Sequence, residues 1–142
     1  MQSEIVIARP REEVAAFACD PDNAAAWYEN IKAVEWESSP SLRVGARIAF
    51  VAEFVGRPLS YSYEIRELDD GRRLVMSTDD GPYAMRTTYE FEDADGGGTR
   101  MTLRNVGEPV GLSKLSGPVV AAAMRRANRK DLKRLKRILE AA

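Results

Sequence analysis

Between Ile31 and about Val106 the chain segregates its side chains with a period of two, and this alternation constrains the fold more than any other feature. One set of positions carries Val34, Trp36, Ile48, Phe50, Phe54, Tyr61, Tyr63, Ile65, Leu74, Met76, Met85, Tyr89, Phe91, Met101 and Leu103. The opposite set carries Glu35, Glu37, Arg47, Glu53, Glu64, Arg66, Arg86, Glu90, Glu92, Arg100 and Arg104. Successive side chains of a strand point to opposite faces, so this separation means an antiparallel sheet with one face in water and the other covered. Turn signals at Ser38-Ser39-Pro40, Gly56, Asp69-Asp70-Gly71, Asp79-Asp80-Gly81-Pro82 and Asp95-Gly96-Gly97-Gly98 divide the stretch into six strands.

The covered face needs a cover, and the C-terminal segment supplies one. Ser116-Gly117-Pro118 opens a helix, with proline where a first turn tolerates it, and the helical pattern runs to about Glu140. Its apolar stripe is Val120, Met124, Ala127, Leu132, Leu135, Ile138 and Leu139, while Arg125, Arg126, Arg129, Lys130, Lys133, Lys136 and Arg137 point elsewhere. Such a helix spans roughly 35 Å. Upstream, Ser3 to Ala8 reads as a strand that stops at Pro10. A helix with Val14, Phe17 and Ala18 on one face follows, and Asp20-Pro21 ends it. Asp20 or Asp22 then caps a second short helix that carries Trp27. The expected architecture is α+β: a seven-stranded antiparallel sheet, two short helices after the first strand, and a long C-terminal helix over the covered face. The length of 142 residues fits one domain over 1–142.

Composition narrows the chemistry. The chain has no histidine and one cysteine, so it can build neither a His-based nucleophile pair nor a zinc site of the usual ligands. No cofactor and no metal are expected, and proton transfer would fall to Asp, Glu, Lys, Tyr or Cys19. Cys19 ends the first helix near an apolar face and reads as a small buried filler. Asp79 and Asp80 read as turn residues. No apolar run approaches the ~20 residues of a membrane span, and the N-terminus lacks an export pattern, so a cytoplasmic location is expected. Charge is uneven: residues 1–113 hold 12 Lys/Arg against 20 Asp/Glu, and residues 114–142 hold 9 against 2. A basic helix packed on an acidic body accounts for that, and its cations are expected to be mostly solvated.

The opening Ile5-Val6-Ile7-Ala8-Arg9-Pro10, followed by Glu13-Val14-Ala15-Ala16-Phe17, Asp20-Pro21 and Trp27, resembles the START-related, polyketide cyclase/dehydrase (SRPBCC) superfamily. Val44-Gly45-Ala46-Arg47, Arg72-Arg73-Leu74-Val75-Met76, Thr88-Tyr89-Glu90-Phe91 and Gly97-Gly98-Thr99-Arg100-Met101-Thr102-Leu103 are similar to further segments of it. The resemblance spans essentially the whole chain and implies the helix-grip fold known from the birch-pollen allergen. It also implies an apolar cavity, and it carries no shared catalytic constellation.

A curved sheet gripping one helix cannot close-pack along the helix's full length, and the gap becomes a ligand cavity. The candidate lining is Phe50, Tyr61, Tyr63, Met76, Tyr83, Met85, Thr87, Tyr89, Met101, Leu103, Val120 and Met124. Met adapts to irregular space, and Tyr adds a hydroxyl to an apolar wall. Thr87 and Asn105 are polar positions in the inward register that can satisfy each other or a water. Asn128 and Asp131 lie beside the helix stripe, where a surface ion-pair network is the default and a cavity mouth the alternative. The first-ranked function is binding of a small hydrophobic molecule of lipid, polyketide or isoprenoid type. Second is a polyketide cyclase/aromatase-type enzyme, which lacks visible acid/base equipment. Third is a macromolecular partner module, with nucleic acid or an anionic membrane on the basic helix. A monomer or weak homodimer is expected.

Overall fold

The computed structural model describes residues 2–54, 57–78, 83–109 and 117–141. Strand β1 (Gln2–Ile7) leads into α1 (Arg11–Ala18), a 3-10 turn (Pro21–Asn23) and α2 (Ala24–Trp27). The alternating stretch then forms β2 (Ile31–Trp36), β3 (Arg47–Phe54), β4 (Arg57–Asp69), β5 (Arg73–Thr78), β6 (Tyr83–Ala94) and β7 (Gly98–Pro109), and α3 (Gly117–Ala141) closes the chain. The seven strands form one antiparallel sheet in the order β1-β7-β6-β5-β4-β3-β2, with the helices on its concave side, which is the helix-grip arrangement. The Gly56 and Asp79-to-Pro82 turns and Ser116 lie outside the described residues.

The two faces separate as the alternation requires. Ile48, Ile65, Leu74, Met101 and Leu103 are buried, whereas Arg47, Arg66, Arg86, Glu92, Arg100 and Arg104 are exposed. The wet face is crossed by ion pairs such as Arg66 to Glu64 at 2.8 Å and Arg73 to Glu67 at 3.2 Å. Exposed pairs of this kind contribute about 0–1 kcal/mol each, so the covered face carries the stability. Two bulges, at Ile31/Ala33 against β3 and at Ile65/Glu67 against β5, break the ladder and bend the sheet. At Gly98 a Cβ would come within 2.9 Å of the Ile7 carbonyl oxygen, so the tight seam between β1 and β7 needs glycine there.

The short helices plug one end of the curl. Val14, Ala15 and Ala18 are buried, and Asp20 caps the 3-10 turn by accepting a hydrogen bond from the Asp22 N–H at 3.0 Å. Trp27 is wholly buried, its ring 4.1 Å from that of Tyr28 and 5.8 Å from that of Tyr89. Thus the tryptophan that follows Asp20-Pro21 packs against its neighbour Tyr28 and against Tyr89 of the sheet.

The last turns of α3 are clamped to β1 and to the residues that lead into α1. Leu132, Leu135 and Leu139 sit in the core with Ile7, Phe91, Met101 and Leu103. Arg9 donates to the carbonyls of Leu139 (2.9 Å) and Glu140 (3.1 Å), satisfying helix-end acceptors that have no partner within the helix. Glu140 accepts from the Ala8 N–H at 2.8 Å, and Lys136 donates to the Val6 carbonyl at 2.8 Å. Lys136 is therefore pinned to β1, unlike the exposed Arg125, Arg126, Arg129, Lys130, Lys133 and Arg137.

Candidate functional site: the cavity under the long helix

Toward its N-terminus α3 carries alanines instead of leucines at the sheet-facing positions, and a cavity of 580 Å³ opens beneath it. Its walls come from every strand except β1: Ile31 of β2, Phe50 and Ala52 of β3, Tyr61 and Tyr63 of β4, Met76 of β5, Met85, Thr87 and Tyr89 of β6, and Asn105 of β7. Tyr28 and Asn30 contribute from the link between α2 and β2, and Ala123, Ala127, Asn128 and Asp131 from α3. Phe50 and Tyr63 meet edge to face at 5.5 Å and hold one wall rigid. The lining surface is mainly apolar, with polar groups contributed by Tyr28, Thr87, Tyr89, Asn105, Asn128 and Asp131.

Of the residues expected from sequence, Phe50, Tyr61, Tyr63, Met76, Met85, Thr87 and Tyr89 line this space. Met101 and Leu103 do not. They have no exposed surface and belong to the packed core, because the C-terminal leucines of α3 fill the space on their side of the sheet. The side chains of Tyr83, Val120 and Met124 lie outside the described residues. Thr87 and Asn105 are cross-strand partners, and the Thr87 hydroxyl donates to Asn105 Oδ1 at 3.0 Å.

Ile31, Asn128 and Asp131 line the cavity although the sequence pattern places them elsewhere by default, and the reasons are identifiable. Ile31 stands in the outward parity of β2, but the bulge after it shifts the register and sets it opposite Ala52, on the covered face. Asn128 and Asp131 read by default as members of a surface ion-pair network, and the structure overturns that: they are 7% and 5% exposed. The available signal was helical spacing, since Ala123, Ala127 and Asp131 recur at intervals of four and place the carboxylate on the face turned to the sheet.

The buried groups titrate accordingly. Burial raises the Asp131 carboxyl from 3.8 to about 6; the hydrogen bond from the Glu29 N–H (3.1 Å) opposes that rise, the charge of Glu29 adds to it, and Arg134 pulls it down. Tyr28 and Tyr89 share a hydrogen bond between their hydroxyls, and burial holds both well above the ordinary phenol value. Both are neutral phenols across the physiological range. The Cys19 thiol is pushed up to about 12 by burial, with the charge of Asp70 adding to the effect, so it is an inert filler near neutrality. Among the described residues no group of three or more His, Cys, Asp or Glu is placed to hold a metal ion, and no helix is long and apolar enough to cross a membrane.

Residues 1–140 match the family described as polyketide cyclase / dehydrase and lipid transport. The chain belongs to this family. Its fold recurs in a START superfamily protein from Mycobacterium smegmatis, with a TM-score of 0.84 at 12% identity over 99% of this chain and 97% of that one. It recurs too in the aromatase/cyclase ZhuI from Streptomyces sp. R1128, with a TM-score of 0.82 at 13% identity over 99% and 92%. A protein from Thermus thermophilus, TTHA0849, gives a TM-score of 0.82 at 23% identity over 99% and 97%. No curated protein matches the sequence. The family's description joins polyketide cyclases and dehydrases with lipid-transport proteins.

Proposed function

We propose that the protein binds a small hydrophobic molecule of lipid, polyketide or isoprenoid type between the sheet and α3. The observation that carries this reading is the 580 Å³ cavity and its mainly apolar lining. A volume of this order suits a ligand of drug-like or short-lipid size, within the roughly 300–1,000 Å³ common for such sites. Phe50, Ile31, Tyr61, Tyr63, Met76 and Met85 would supply the apolar contact, and the two methionines would adjust to the ligand's outline. Tyr83, Val120 and Met124 belong to the proposed wall by their positions on β6 and α3. A cytoplasmic setting is part of the same reading. Titration with the neutral fluorophore N-phenyl-1-naphthylamine tests it: saturable enhancement with one site per chain is the expected result, and no saturable binding would refute it. Native mass spectrometry of protein from its own host then gives the mass of a co-purifying ligand.

A cyclase-type activity is the second reading, and one observation favours it. Asp131 is an inward carboxylate that titrates at about 6 beside a pair of tyrosine hydroxyls, so the cavity holds a proton carrier suited to near-neutral pH. Its test is conversion of a reactive poly-β-ketone by the wild-type protein and its loss in Asp131→Asn. Binding without conversion would leave the first reading alone.

A further inference from the structure

The polar groups of the cavity are unevenly satisfied, and that unevenness points to the ligand's head group. Thr87 and Asn105 answer each other, as described above. Asn128 does not fare so well: it is 7% exposed, lines the cavity, and its amide nitrogen has no hydrogen-bond partner. Leaving a buried amide donor unpaired is costly; the nitrogen has almost no accessible surface, and a rotation of the amide that turned it to the cavity would let a ligand acceptor bind with corresponding advantage. Three residues on, one helical turn along the same face, Asp131 spends its Oδ1 on the Glu29 N–H, and its Oδ2 has no donor among the described residues. The two tyrosine hydroxyls carry two protons and share one hydrogen bond, which leaves one O–H free to donate.

Charge completes the pattern. Among the described lining residues Asp131 alone is charged, and none is lysine or arginine. A carboxylate or phosphate head group placed there would face a like charge inside the cavity, and Arg134, which acts on Asp131, is not part of the cavity lining. A hydroxyl fits instead: it donates to the Asp131 carboxylate in a charge-assisted hydrogen bond and accepts from the Asn128 amide.

We infer that the cavity selects apolar molecules that end in a neutral hydroxyl, an alcohol or phenol, with Asn128 and Asp131 as the specificity-determining pair, and that it rejects the corresponding carboxylates. This rests on the proposed hydrophobic binding and sharpens it to a ligand class.

The experiment displaces N-phenyl-1-naphthylamine from the full-length protein at pH 8 with three ligands of one chain length: 1-dodecanol, dodecyl methyl ether and dodecanoate. The ether accepts but cannot donate, and dodecanoate is anionic at this pH. The expected result is tenfold or greater preference for the alcohol over both. Asp131→Asn should reduce the alcohol-over-carboxylate ratio at least fivefold. Asn128→Ala should weaken dodecanol at least fivefold more than it weakens the fluorophore, with an unchanged circular-dichroism spectrum showing that the variant is folded. Equal affinity for dodecanol and dodecanoate, or a ratio that Asp131→Asn leaves unchanged, would overturn the inference while hydrophobic binding stands. Failure of the fluorophore itself to bind would refute both.

Discussion

The two halves of α3 lie on one sheet and have opposite relations to it. The C-terminal half presents Leu132, Leu135 and Leu139, meets Ile7, Phe91, Met101 and Leu103, and leaves no space. The part before Leu132 presents Ala123, Ala127, Asn128 and Asp131 among the described side chains, and a cavity of 580 Å³ separates it from Phe50, Tyr63, Met76 and Met85. The sheet offers inward apolar side chains to both halves. What differs is the volume the helix sends back: leucine reaches across the gap between helix and sheet, and alanine does not. The clamp of Arg9, Glu140 and Lys136 holds the sealed end to β1, which lets the other end stand off without the helix detaching.

This contrast can be broken most directly at the sealed end. Leu135→Ala removes a wholly buried side chain from close packing and is expected to cost about 2–5 kcal/mol, read as a lowered urea midpoint. A loss below about 1 kcal/mol would mean that the C-terminal half is as loosely packed as the other. Across the divide, Met76→Trp adds volume where space exists. Binding of N-phenyl-1-naphthylamine should weaken tenfold or more, about 1.4 kcal/mol, with the melting temperature little changed. A steep fall in melting temperature would assign Met76 to the packed half, whose core cluster it also touches.

Asp131 sharpens the comparison through pH. Its carboxyl titrates at about 6 in the folded protein against an ordinary 3.8, so between these values the folded state binds more protons than the unfolded one. Its contribution to stability is therefore fully present below about pH 4 and is lost as pH rises through about 6. Asp131→Asn, which keeps an acceptor for the Glu29 N–H, should stabilise the protein by about 1 kcal/mol at pH 8, less than the full linkage value because the carboxylate is only partly desolvated. That gain should vanish toward pH 4, as measured by urea denaturation across the range. A gain independent of pH would remove the carboxylate's burial as its cause. The smallest expected effect is at Cys19: the folded protein should react with a thiol reagent at pH 8 only at the rate of its opening, and rapid labelling would show the α1 end to be open.

The alternation over residues 31–106 was enough to assign each strand's inward face, and the helical stripe was enough to lay α3 on it. Family resemblance in the opening segment agreed with both. The site was legible only as far as direction allows. Phe50, Tyr61, Tyr63, Met76, Met85, Thr87 and Tyr89 could be named because a cavity must draw on inward positions. Met101 and Leu103 have the same inward pattern but face filled space. Ile31 was unreadable because a single bulge inverted its parity. For Asn128 and Asp131 a cavity mouth was the alternative and a surface ion-pair network the default, because polar residues among arginines and lysines look like surface, whatever face they occupy.

Sequence periodicity therefore settled the α+β class, the seven strands, the covering helix and the side to which most residues point, since each of these follows from the local direction of Cα–Cβ bonds. Which inward residues touch neighbours, and which look into empty space, depended on the distance between helix and sheet. That distance comes from bulges that bend the strands, from the clamp at Arg9 and from the size of residues far apart in the chain, none of which a local pattern encodes.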